Sequence, residues 1–135
     1  MIILDSSFIV AYYNTADNNH KKAVEVMKVL GAGEYGDILI TDYVFDETVT
    51  VAFVRLKSLR KTVEIGDDMG RFAKIIYIEK GVFEGAWELF KNQLDTKFSF
   101  TDCSSLAIMK KEGINNIVTF DEDFKKIKEI EVVAG

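Results

Sequence analysis

Residues 1–14 read MIILDSSFIVAYYN, and two kinds of periodicity meet inside them. Residues 1–4 form an unbroken apolar run, the pattern of a short strand buried on both faces. From Ser6 to Asn14 the apolar positions change to helical spacing, with Phe8, Ile9, Tyr12 and Tyr13 on the pattern. The change happens at Asp5. A doubly buried strand that runs straight into a helix opens a parallel βαβ unit, whose sheet is covered on both sides.

The alternation continues outward from that start. A helix is expected over 20–30, carrying Ala23, Val24, Met27 and Leu30, with Gly31 as its C-cap. A strand is expected over 38–40, after which Thr41 or Asp42 caps a long helix bearing Val44, Phe45, Thr48, Ala52 and Leu56. Residues 59–72 are amphipathic, but Gly66 and Gly70 lie inside them, so a weak or broken helix is expected there. The pattern then predicts a strand over 75–78 and a helix over 82–94 that buries Trp87. Thr101 is expected to cap a helix over 102–111 that ends at Gly113. A strand over 117–120, a helical turn over 124–127 and a last strand over 130–133 complete the series. The expected architecture is α/β: a three-layer α/β/α sandwich with a central, mostly parallel sheet of four to five strands, in a single domain over 1–135.

Composition narrows the class. Of 135 residues, 48% are hydrophobic and 29% charged, enough apolar content to bury a core without a disulfide or structural metal. The apolar runs are too short to span a bilayer, so no membrane association is expected. The opening lacks the basic segment and long apolar stretch of a secretory signal. With Cys103 as the one cysteine, no internal disulfide can form, and a cytoplasmic location is expected. Seventeen basic residues against 22 acidic ones leave a net charge of −5. That balance argues against a scaffold that holds nucleic acid by charge alone. It leaves room for an enzyme whose acids hold cations that face phosphates.

Four acids fall at informative places. Asp5 and Asp121 follow the first and fourth expected strands directly, at the edge where open parallel sheets bind ligands. Asp102 opens a helix, and Glu47 lies in the second turn of the helix after the second strand. All four can project into one region. Their mutual repulsion would raise each pKa unless a hard divalent cation relieved it, and oxygen ligands suit Mg²⁺ or Mn²⁺. With one His and one Cys, the chain has no zinc set. Each acid also has a plainer reading: Asp102 as a charge at a helix N-terminus, Asp5 and Asp121 as turn formers, Glu47 as a solvated helix residue.

Three segments together resemble a known family. MIILDSSFIVAYYN resembles the first motif of PIN domains, a strand ending in Asp, then Ser or Thr, then a helix. TDYVFDETVTVAF resembles the second, with Glu on a helix, and FSFTDCSSLAIMKKEGINNIVTFDEDF resembles the third and fourth. The length and order resemble VapC toxins of toxin–antitoxin pairs. The resemblance implies Mg²⁺- or Mn²⁺-dependent endonucleolytic hydrolysis of RNA by a metal-activated water, leaving 5′-phosphate and 3′-hydroxyl ends. It implies metal binding by Asp5, Glu47, Asp102 and Asp121, with Ser6, Thr101, Thr119 and Asp123 in supporting positions. It also implies a cognate antitoxin and a homodimer, with the antitoxin or a second subunit expected on the helices around 42–72.

Other residues invite functional readings. His20 could be a base, but a capping or surface role suits its neighbours better. Tyr12, Tyr13 and Trp87 could stack on bases, although aromatics at helical spacing more often belong to the core. Lysine and arginine clusters at 55–57, 60–61, 110–111 and 125–128 could meet phosphates, the plainer reading being solvated helix faces. Two rival functions stand beside the toxin: a housekeeping PIN nuclease in RNA processing or decay, and a non-enzymatic Mg²⁺-binding partner domain of the response-regulator kind. The last leaves Glu47 and Asp102 unexplained.

Overall fold

A computed structural model describes residues 1–134. Its centre is β1 (Ile2–Leu4), in which all three side chains are fully buried. Successive residues point to opposite faces. Ile2 and Leu4 enter one apolar cluster, with Phe8, Ile9, Ala23, Val44, Ala52, Ile65 and Met69. Ile3 enters the other, with Val82, Ala86, Phe98, Cys103, Ile108 and Phe124. The first cluster is closed by α1 (Ser6–Tyr13), α2 (His20–Gly31), α3 (Asp42–Leu56) and α4 (Leu59–Phe72). The second is closed by α5 (Lys80–Lys91) and α6 (Phe100–Glu112). This is the expected three-layer α/β/α sandwich.

The sheet has five strands, all parallel, in the order β3-β2-β1-β4-β5, with β2 at Ile38–Thr41, β3 at Lys74–Ile76, β4 at Asn116–Val118 and β5 at Glu131–Val133. The chain builds outward from β1 through β2 to β3, then returns to lay β4 on the other side of β1. The carboxyl ends of β1 and β4 therefore flank the point where strand order reverses, the crevice that open α/β sheets use for ligands. Register there is tight: Leu4 pairs with Val118, and Asp5 N donates to Val118 O at 2.9 Å.

Several sequence expectations are corrected. The N-cap of α6 is Ser99, not Thr101, so Asp102 is the third residue of its helix rather than the first. The turn expected over 124–127 is a 3-10 turn at Glu122–Lys126, capped by Asp121. The segment carrying Gly66 and Gly70 is one unbroken helix. At Gly66 an added Cβ would lie 3.4 Å from the Phe45 ring and 3.6 Å from Val49, ordinary contact distances, so α4 packs on α3 there with room for little more than a methyl group. Trp87 is not core. It is 48% exposed, because α5 packs on α6 through its small positions Val82, Gly85 and Ala86 and turns its large aromatics outward. His20 is the first residue of α2 rather than its cap, and its Nδ1 pairs with Ala11 O at 2.8 Å, tying α2 to α1.

Candidate active site

The buried carboxylate of Asp5 organises the crevice. Asp5 ends β1 and caps α1, and it is 4% exposed, a position where a charge is costly unless hydrogen bonds hold it. Its Oδ1 accepts from Ser6 N at 2.9 Å, and its Oδ2 accepts from Ser7 Oγ at 2.8 Å and Thr119 Oγ1 at 2.6 Å. Thr119 follows β4, so this bond spans the switch point. The Thr119 hydroxyl oxygen also accepts from Asp121 N at 3.0 Å, and Ser7 Oγ accepts from Phe120 N at 3.1 Å. One small network thus joins the ends of β1 and β4.

Two further acids approach from the helices. The Ser6 hydroxyl donates to Glu47 Oε1, bringing the second turn of α3 to the start of α1. Asp102 is held by a capping box: Asp102 N donates to Ser99 Oγ at 3.0 Å, and Ser99 N donates to Asp102 Oδ2 at 2.9 Å. Burial pushes the Asp102 carboxyl up to about 7, and the charge of Asp5 adds to it, then that of Glu47, against the lowering effect of the Ser99 hydrogen bonds. Burial likewise raises Asp5, assisted by the charge of Glu47 and opposed by Thr119, Ser7 and Ser6. The charge of Glu47 thus acts on both Asp5 and Asp102, and that of Asp5 on Asp102.

The remaining expected site residues divide. Asp121 stands beside Asp5 through Thr119, while its Oδ1 accepts from Asp123 N at 2.9 Å to cap the 3-10 turn. Asp123 spends both oxygens elsewhere, on Lys97 N at 2.8 Å and Lys126 Nζ at 3.0 Å, and those partners hold its pKa down. Thr101 lends its carbonyl to Ser104 Oγ. Ser7 and Ser99 contribute as much as the residues singled out from sequence. Ser99 was legible as Ser-x-x-Asp, the signature of a capping box. Ser7 carries no such signal. Among the basic clusters, Lys125 and Lys126 pair with Glu122 and Asp123 on their own 3-10 turn, as a solvated face would. Cys103 is buried in the core beneath α6.

Among the described residues, no three His, Cys, Asp or Glu side chains are gathered into a finished metal-ligand set. The chemistry of the crevice nonetheless suits a hard cation. The donors are carboxylate and hydroxyl oxygens, and two of the carboxyls are held at raised pKa by burial and by like charge, the strain that a divalent ion removes.

Comparison with known proteins fits this geometry. The PIN-domain family model matches residues 2–130. The chain belongs to the PIN-domain family. It is 29% identical over 132 residues, 98% of both chains, to the 23S rRNA-specific endonuclease VapC20 of Mycobacterium tuberculosis. The crystal structure of that protein, described as a sarcin-ricin-loop-cleaving toxin, superposes with a TM-score of 0.82 at 30% identity over 98% of each chain. A VapC ribonuclease of Archaeoglobus fulgidus is 25% identical over 123 residues, 90% of this chain and 78% of that one. The VapBC2 complex of Rickettsia felis, bound to a DNA fragment from its promoter, shares the PIN fold at TM-score 0.68 and 19% identity, over 98% of each chain. Among the described residues, no helix of this PIN domain is long and apolar enough to cross a membrane.

Proposed function

We propose that this PIN domain is an Mg²⁺- or Mn²⁺-dependent endoribonuclease and the toxin of a VapBC-type pair. The observation that carries the reading is the network in which Thr119 and Ser7 hold buried Asp5 while Ser6 holds Glu47 and Ser99 holds Asp102. On top of burial, the charges of Asp5 and Glu47 both raise Asp102, and that of Glu47 raises Asp5, a cost that an ordinary turn or cap would not carry. The kinship with VapC nucleases supplies the reaction class.

Asp5, Glu47, Asp102 and Asp121 would hold the ion. When bound, such an ion lowers the pKa of water toward neutrality and stabilises charge on an attacked phosphate. Thr119 and Ser7 fix the Asp5 carboxylate so that it does not rotate away from the crevice, and Ser6 does the same for Glu47. Ser99 keeps Asp102 at the mouth of α6. With its pKa near 7, Asp102 holds a proton in part of the population at neutral pH, and a bound cation would displace it.

The groove between α3 and α4 is where an antitoxin segment would dock. It measures about 430 Å³ and is lined by Phe45, Val49, Phe53, Leu59, Val63 and Gly66. Phe53, Leu59 and Val63 are each at least half exposed, an apolar surface that an amphipathic partner helix would cover.

The test is incubation of purified protein with mixed RNAs in Mg²⁺, in Mn²⁺ and in EDTA, with Asp5→Asn as control. Metal-dependent cleavage leaving 5′-phosphate ends, absent in folded Asp5→Asn, is expected. Cleavage that persists in EDTA, or in Asp5→Asn, would overturn the assignment.

A further inference from the structure

Residues 93–98, between α5 and α6, have no regular structure, yet they deliver Ser99 and with it Asp102. Connections of this kind are ordinarily the mobile parts of a domain. This one is fastened twice. From inside, the Gln93 amide pairs with Phe98 as a strand would: its Oε1 accepts from Phe98 N at 2.7 Å, and its Nε2 donates to Phe98 O at 3.1 Å. The same Oε1 accepts from Thr96 Oγ1 at 2.8 Å, and Nε2 also reaches Phe90 O, in α5, at 3.3 Å. The segment is drawn into a closed loop that ends at the buried Phe98.

The second fastening comes from the 3-10 turn at Glu122–Lys126. Lys97 N donates to Asp123 Oδ2 at 2.8 Å. Asp123 Oδ1 holds Lys126 Nζ at 3.0 Å, and that ammonium also donates to Asp95 O at 2.6 Å. Beneath them the rings of Phe98 and Phe124 lie 4.8 Å apart in the core. The turn thus grips Asp95, Lys97 and Phe98 of the loop. Its N-cap is Asp121, whose Oδ1 accepts from Asp123 N. Asp102 and Asp121 arrive on different elements, but the chain just before the one is joined to the chain just after the other. Asp123 is the junction, and each of its oxygens already faces a donor from the loop or the turn.

We propose that Asp123 is a positioning residue rather than a cation ligand: through Lys97 and Lys126 it docks the 93–98 loop on the 3-10 turn, and so fixes where Asp102 stands relative to Asp121. Gln93 keeps the loop in the shape that Asp123 grips. The inference rests on the reading of Asp102 and Asp121 as ligands of a divalent ion, and it names what spaces them. Residues that orient a metal's ligands without touching the metal commonly alter its affinity by about 10–100-fold.

Titration of RNA-free protein with Mn²⁺, followed by calorimetry and by loss of the free-ion paramagnetic resonance signal, tests this without turnover. Asp123→Asn keeps an oxygen for Lys97 N, and Asp123→Ala removes it. Asp123→Ala is expected to weaken Mn²⁺ binding about tenfold, and Asp123→Asn less than threefold. Gln93→Ala, which touches no carboxylate, is expected to weaken it about tenfold as well, and it takes the place of Asp123→Ala if that variant does not fold. Equal losses in Asp123→Asn and Asp123→Ala would make Asp123 a ligand and refute the docking role. Native affinity in folded Asp123→Ala, or in Gln93→Ala, would show that the loop's attachment does not set the site. If native protein binds no Mn²⁺ at all, the cation reading fails first, and this inference falls with it.

Discussion

Replacing Asp102 with Asn should make the metal-free protein more stable at pH 8, and the size of the gain follows from the crevice. The folded carboxyl titrates near 7 rather than 3.8, chiefly because it is buried and Asp5 stands near. A carboxyl raised on folding binds its proton more tightly in the folded state, so the stability it contributes is fully present below about pH 4 and is lost as pH rises through 7. Each tenfold change in proton affinity is worth about 1.4 kcal/mol, which puts the ceiling near ~4 kcal/mol. Water still reaches the side chain, and screening reduces that to about 2 kcal/mol. Asn removes the titration without removing the cap, since its carbonyl oxygen can accept from Ser99 N as Oδ2 does now. In EDTA at pH 8, Asp102→Asn is therefore expected to melt about 5–10 °C above the native protein, and the two should converge by pH 4. Added Mg²⁺ should close the gap from the other side. An ion at a hundred times its Kd adds about 2.7 kcal/mol to the native protein and less to a variant missing a ligand. Calorimetry over pH 4–8, with and without Mg²⁺, checks this. A variant that melts lower at pH 8, or a gap unaffected by pH, would show that Asp102 is not under like-charge strain.

Three further outcomes are expected. Thr119→Val removes the bond from Thr119 to Asp5 and an acceptor for Asp121 N at nearly constant volume; turnover should fall at least tenfold, and stability by about 1–3 kcal/mol, in cleavage and melting assays. Ser99→Ala should cost about 1 kcal/mol of stability in denaturant titration, while Thr101→Ala should leave the α6 cap intact. Gly70→Ala, with nothing within 4 Å of the new Cβ, should stabilise by about 0.5–1 kcal/mol, whereas Gly66→Val should destabilise by about 1–3 kcal/mol against Phe45 and Val49.

The parallel sheet was legible in the sequence because its central strands are buried on both sides and read as plain apolar runs between amphipathic helices. The convergence of Asp5 and Thr119 followed from strand order, since both lie at carboxyl ends. What was not legible depended on contacts between distant elements. Apolar spacing alone places Trp87 inside, but α5 meets α6 through small residues, and no wide ring fits between helices that close. Gly66 reads as a helix breaker until Phe45 is set against it. Thr101 beside Asp102 resembles a cap, yet the hydroxyl in position to receive Asp102 N belongs to Ser99. Ser7 became visible only when β4 brought Thr119 and Phe120 within reach.

The bond between Thr119 and Asp5 joins residues 114 positions apart. A nascent chain can pair β1 with β2 early and give Asp5 its bonds from Ser6 and Ser7, but the bond from Thr119 must wait for β4. The crevice is thus finished only when the most distant strand that lines it has joined β1, so a chain that folds its first half alone leaves Asp5 without its bond across the switch point.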